Sequence, residues 1–176
     1  GEEGGVFTGI LTKKDDKGIW VQGEEGGEAR RFIPNWIGGN PADGGGLDAA
    51  MLEKIKHLIT GNRVKVVWKF EEHDRVIEVE MLVPDKKEGS VEGKVVAKGE
   101  GWIEVVADGI RERYSVRWIG SNPKDGGGPD RPMLERLKGV GVGSRVSLRW
   151  EYEERKRVVE ITVLEAKTPP SDDEKK

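Results

Sequence analysis

Few side chains in this chain are equipped for covalent or acid-base chemistry. Of 176 residues two are histidines, His57 and His73, and none is cysteine. Disulfides, thiolate ligands and thiol nucleophiles are therefore excluded, while the redox character of the compartment stays open. Carboxylates come in pairs at Glu71 and Glu72 and again at Glu153 and Glu154, inside the charged runs "EEHDR" and "EERKR". A general acid needs a carboxyl whose pKa is raised by burial, whereas a charged run between two alternating apolar segments reads as a solvated turn. Glu71, Glu72 and Arg75, matched by Glu153, Glu154 and Arg157, are expected to form cross-strand ion pairs there. Laid on the chain 82 residues on, His57 falls on Gly139 and His73 on Arg155, so no Ser-His-Asp arrangement repeats. The chain reads as a protein that binds rather than catalyses, with no cofactor.

The pattern that does repeat is a loop. "WIGGNPADGGGLD", Trp36 to Asp48, returns as "WIGSNPKDGGGPD", Trp118 to Asp130. Over Trp36 to Leu82, 24 of 47 positions are identical to their counterparts 82 residues later. The front halves align at an offset of 84, Gly9 with Gly93 and Val21 with Val105, with two extra residues near "GEEGGE" in the first copy. The chain is an internal duplication.

Three consecutive glycines need a reason, because each costs about 0.4 to 1 kcal/mol of extra unfolded-state entropy against alanine. The favoured reading of Asn40, Asp43, Gly44, Gly45, Gly46 and Asp48, and of Asn122, Asp125, Gly126, Gly127, Gly128 and Asp130, is geometric. The chain leaves a strand at a tryptophan, turns tightly, and arrives at an aspartate that caps a helix. A second reading makes the loop a nest of backbone amides beside a helix N-terminus, suited to an anion, against which Asp43 and Asp125 add negative charge. A third makes its oxygens calcium ligands, but Asn-x-x-Asp-x4-Asp fits no EF-hand loop, and no metal is assigned.

The elements around the loop follow from periodicity. In the second copy "GKVVAK", "WIEVVAD" and "RERYSVRW" read as three strands. "DRPMLERLKGV" puts Met133, Leu134, Leu137 and Val140 on one helical face, with Asp130 as N-cap and Pro132 in the first turn. A hairpin follows, with Val146, Leu148, Trp150 and Tyr152 facing inward, then Val159, Ile161 and Val163 on the returning strand. The first copy repeats it with Val64, Val66, Trp68 and Phe70, then Ile77, Val79 and Met81.

This order, three strands, a helix and two strands, with glycines near the first strand, resembles the OB-fold, a five-stranded barrel that binds oligonucleotides or oligosaccharides. An SH3-like barrel with an inserted helix is the rival architecture. The fold class expected is mainly β: two tandem small five-stranded OB-like barrels, each with one short helix between strands 3 and 4. The boundaries expected are 6–83 for the first barrel, 84–90 for a linker, 91–166 for the second barrel and 167–176 for a disordered tail.

Charge narrows the partners. The chain carries 30 basic and 33 acidic side chains, so no overall field draws in nucleic acid or an anionic membrane. Residues 6–84 hold 11 basic against 13 acidic side chains, and residues 91–166 hold 14 against 13. A phosphate-tracking groove shows a clear basic excess. The local exception is Arg111, Arg113 and Arg117 with Arg149. Trp20 and Trp102 lie near the second strand, part of the binding face the resemblance implies, and are the candidates for stacking on bases or sugars. Trp68 and Trp150 read as core, and Trp36 and Trp118 as core edge. No apolar run reaches the roughly 18 residues of a bilayer span. The chain begins at Gly1 rather than Met, which is read as trimming that could have removed a signal peptide; the location stays open, an extracytoplasmic one among the alternatives. A protein or polysaccharide surface is the expected ligand, single-stranded nucleic acid the alternative, and a purely structural domain of a larger assembly the third possibility.

Overall fold

The computed structural model describes residues 3–120 and 122–167. The chain divides between Val83 and Pro84 into two compact units. In the first, β1 (Gly4–Lys14), β2 (Ile19–Gly23) and β3 (Arg30–Pro34) form a meander. β4 (Trp36–Ile37) and β5 (Gly46–Leu47) pair only with each other, enclosing a 3₁₀ turn at Pro41–Asp43. The helix α1 (Ala49–Lys56) follows, then β6 (Arg63–Glu71) and β7 (His73–Leu82). The barrel closes in the order β1-β2-β3-β7-β6, with β3 parallel to β7 and the other pairs antiparallel. The second unit repeats this with β8 (Glu88–Gly99), β9 (Trp102–Ala107), β10 (Ile110–Val116), β11 (Trp118–Ile119), β12 (Gly128–Pro129), α2 (Arg131–Lys138), β13 (Arg145–Glu153) and β14 (Arg155–Glu165), and its barrel closes as β10-β14-β13-β8-β9. These are two mainly-β, OB-like five-stranded barrels, each with its helix between the third and fourth barrel strands.

Each barrel has its own core. Leu11, Ile19, Val21, Phe32, Val64, Val66 and Trp68 fill the first, beneath Met51 and Ile55 of α1. Val95, Ile103, Val105, Tyr114, Val146, Leu148 and Trp150 fill the second, beneath Met133 and Leu137 of α2. Asp48 caps α1 by accepting from the amides of Ala50 and Met51, and Asp130 caps α2 by accepting from Met133. A lysine closes each helix at its other end: Lys14 donates to the carbonyls of Ile55 and Lys56, and Lys98 to those of Lys138 and Val140. Cations suit that end because the helix dipole is negative there.

Two expectations shift by a bulge. The returning strands were expected to turn Ile77, Val79 and Met81, and Val159, Ile161 and Val163, inward. In the structure Trp68 pairs with Val76 and Val67 with Glu78, leaving Ile77 as an extra residue, and Val159 is extra in the same way. The bulge breaks the alternation, so Val76 and Val158 on its turn side are buried together with Val79 and Ile161 beyond it, while Ile77 is exposed. Met81 packs against the core as expected, and Val163, on the face of Ile161, is exposed near the end of its strand. Phe70 is exposed as well, near the hairpin tip.

The boundaries move too. Residues 88–90, expected in the linker, belong to β8 and pair with β13, Gly89 lying opposite Trp150. A Cβ on Gly89 would come within 2.7 Å of the Trp150 ring, so this glycine seats the indole rather than loosening a linker. Lys167, expected in the tail, is anchored: its amide donates to Ser144 Oγ at 2.8 Å. Residues 168–176, where the rest of the disordered tail was expected, lie outside the described residues.

Candidate functional site

Trp20 and Trp102, the residues expected to stack on a ligand, each carry an arginine over the ring. On β2 the Trp20 ring lies 3.6 Å from the Arg31 guanidinium carbon, with the Lys13 ammonium at 4.7 Å. Arg31 also reaches Asp15 at 3.3 Å. The Lys17 amide, together with Arg31 and the Gly18 amide, holds the Asp15 carboxyl below its ordinary pKa. On β9 the Trp102 ring lies 3.7 Å from the Arg113 guanidinium carbon. Position 20 corresponds to Glu104 in the second unit, and Glu104 is 2 % exposed. Arg111 donates to its Oε1 at 2.8 Å and Arg113 to its Oε2 at 2.8 Å.

The arginines expected to form a patch are therefore divided. Arg111 and Arg113 share one buried carboxylate, which cancels half of their charge. Arg117 lies 3.8 Å from Asp130, the cap of α2. Arg149 stands on β13, separated from β10 by β14, and reaches Glu151 and Glu160. The fold brings Arg111 and Arg113 together and leaves Arg149 elsewhere on the barrel.

The duplicated loop is closed on itself. Asn40 is its hub: the backbone carbonyl accepts from the amides of Asp43 (2.8 Å) and Gly45 (3.1 Å), and the side chain accepts from Ala42. Asn122 makes the same three bonds, to Asp125, Gly127 and Lys124. Gly44 and Gly126 have φ near +89° and +88°. A Cβ on Gly45 would sit 2.1 Å from the Gly39 carbonyl oxygen. Gly46 and Gly128 have neither constraint, with nothing within 4 Å of an added Cβ. The amides that would make an anion nest thus point into the loop, and the Asn40 and Asp48 oxygens that would bind calcium already cap a turn and a helix. Among the described residues no group of three or more His, Cys, Asp or Glu side chains is placed to hold a metal.

What the loop holds outward is apolar. Trp36 and Trp118, read from sequence as core edge, are 44 % and 45 % exposed, and Ile37 and Ile119 are 56 % and 51 % exposed. The reason is local: β4 and β5 pair with each other rather than with the barrel, and in the first unit Trp36 Nε1 donates to the Gly39 carbonyl at 2.8 Å, holding the indole to the loop. A signal existed in the sequence, since two adjacent large apolar residues in an alternating strand cannot both face the core. In the second unit, Trp118 and Ile119 border an open groove of ≈ 280 Å³ with Arg117, Glu151, Glu153 and Arg157.

Arg157 and its counterpart Arg75 are structural. Arg75 donates to the carbonyls of Glu71 (2.9 Å) and Pro34 (3.1 Å), and Arg157 to those of Glu153 (3.1 Å) and Val116 (3.0 Å). Each ties the hairpin turn to the end of the third strand; of the ion pairs expected in these hairpins, Arg157 with Glu154 is present at 3.7 Å. Burial, and then Arg155, lower the Arg157 pKa below its ordinary value, and the guanidinium stays charged.

No family model matches the chain, and no curated protein matches it. Among solved structures it is similar to a deletion mutant of the single-stranded DNA binding protein from Thermus aquaticus, at 10 % identity and a TM-score of 0.28, over 97 % of this chain and 99 % of that one. A likeness of that size says nothing of what this chain binds. No helix among the described residues is long and apolar enough to cross a membrane.

Proposed function

We propose that the chain is a non-catalytic, bivalent binding protein that docks on another protein through the Trp–Ile faces of its two loops. The observation that carries this reading is the exposure of Trp36, Ile37, Trp118 and Ile119 on loops whose internal hydrogen bonds fix them. Exposed apolar residues scattered singly need no explanation, but a Trp–Ile pair held outward twice does. Tryptophan dominates interface hot spots, and a mixed-charge rim around an apolar centre is the usual composition of a protein interface. The rim is Arg117, Glu151, Glu153 and Arg157 in the second unit, and the matched positions in the first hold Asn35, Lys69, Glu71 and Arg75. Charges of both signs favour a partner that also carries both, a protein rather than a polyanion. Linking two such contacts raises avidity by about 10² to 10⁴ over either alone.

The test places a photo-crosslinking residue at Ile37 and, separately, at Ile119, in native lysate. The expected result is one protein crosslinked from both positions. That crosslink is lost when Trp36 and Trp118 are changed to alanine and kept when Trp20 is. With the partner in hand, Trp36→Ala alone should weaken binding by about 2 kcal/mol, some 30-fold. Failure to crosslink, with saturable binding on a glycan array or to an oligonucleotide, would replace the protein reading with that ligand.

A further inference from the structure

At matched positions the two units carry the same ion pair with its signs exchanged. In the first, Arg30 of β3 lies 3.0 Å from Asp74 of β7. The Arg30 guanidinium carbon stands 4.4 Å from the Trp68 ring, 4.8 Å from Phe7 and 5.0 Å from Phe32. In the second, Glu112 on β10 occupies the place of Arg30, and Lys156 on β14 the place of Asp74. Lys156 and Glu112 form an ion pair. The Lys156 ammonium lies 4.2 Å from the Trp150 ring, and the Tyr114 hydroxyl donates to Glu112 at 3.4 Å. Each barrel thus holds a cation over the same tryptophan, supplied from the third strand in one unit and from the fifth in the other. Both pairs stand beside the parallel contact that closes the barrel, Ile33 with Arg75 and Ser115 with Arg157.

We propose that this exchanged polarity keeps each closing strand with its own unit during folding. The backbone gives little discrimination, because the third and fifth strands pair in equivalent parallel registers, Ile33 with Arg75 and Ser115 with Arg157, and the stretch that carries the fifth strand repeats 24 of 47 positions from Trp36 to Leu82. The arginine lock gives none: Arg75 and Arg157 bond the equivalent carbonyls of Pro34 and Val116. Strand exchange between similar tandem units, within one chain or between two, is a characteristic misfolding route. If β3 closed on β14, Arg30 would meet Lys156 over Trp150. If β10 closed on β7, Glu112 would meet Asp74. Both wrong pairings set like charges together at a partly buried position, where water screens them poorly. Both right pairings set opposite charges there. A repulsive element against the wrong partner is how closely related surfaces are kept apart.

The test uses the full chain and two variants. Arg30→Glu with Asp74→Lys keeps an ion pair in the first unit but gives it the polarity of the second. Adding Glu112→Lys and Lys156→Glu reverses both units and restores the difference between them. Each protein is diluted from denaturant at several concentrations, and the fraction recovered in the wild-type species is read by size exclusion with light scattering. The double variant is expected to lose recovery several-fold, with concentration-dependent exchanged oligomers, and the quadruple variant to recover to the wild-type level. Wild-type recovery in the double variant would overturn the proposal. So would a quadruple variant that refolds as poorly as the double, since the fault would then lie in packing around Trp68 rather than in polarity.

Discussion

Arg75 shows how a side chain flanked by carboxylates can bond the backbone instead. Its guanidinium donates to two carbonyls, one at the hairpin turn and one at the end of β3, and it is 7 % exposed. The Glu71 carboxylate beside it is exposed and reaches Lys69, at 3.4 Å. Arg75→Leu should therefore destabilise the first unit by about 2 to 3 kcal/mol, the scale of hydrogen bonds to a charged group when one carbonyl partner, that of Pro34, is left buried. Glu71→Gln should change stability by less than about 0.5 kcal/mol, as for other exposed pairs. Urea unfolding midpoints separate the two. Equal, small effects would show that Arg75 is only another member of a charged turn.

The loop between β3 and α1 is legible as an element but not residue by residue. Its repeated glycines all look alike in sequence, yet only two of the three are constrained. Gly44 needs the left-handed region, where an L side chain costs about 1 to 2 kcal/mol. Gly45 needs room against the Gly39 carbonyl. Gly44→Ala should lower stability by that amount and Gly45→Ala should disrupt the loop. Gly46→Ala should be neutral or stabilising by up to about 1 kcal/mol, through the unfolded chain alone. The order of the three unfolding midpoints checks this. A destabilising Gly46→Ala would mean that the third glycine has a role the packing does not explain.

For the whole molecule, nearly balanced charge and the internal neutralisation of its arginines point the same way. Tryptophan fluorescence titrated at low salt with a mixed single-stranded oligonucleotide should stay flat for the wild type, because Arg31 and Arg113 cover Trp20 and Trp102 and Glu104 holds Arg111 and Arg113. Glu104→Gln should release both guanidiniums and produce weak binding that disappears as salt rises. It should also destabilise the second unit by about 3 kcal/mol, as when one member of a buried ionic group is removed. A saturable, salt-sensitive quench in the wild type would show that the nucleic acid displaces these pairings and would move the function to the strand-2 face.

The duplication, the strand and helix order, the capping aspartates and the inward tryptophans Trp68 and Trp150 were legible in the sequence because they rest on periodicity and on contacts local in the chain. Tertiary structure decided the rest. The bulges at Ile77 and Val159 break an alternation that sequence alone extends without interruption. Trp36 and Trp118 face solvent because β4 and β11 pair with loop strands rather than with the barrel. Arg111 and Arg113 converge on Glu104 only because β9 and β10 lie side by side, and the exchanged signs of Arg30–Asp74 and Lys156–Glu112 become a pair only when the third strand closes on the fifth. Partners 44 residues apart in the chain are brought together by barrel closure, which no local pattern encodes.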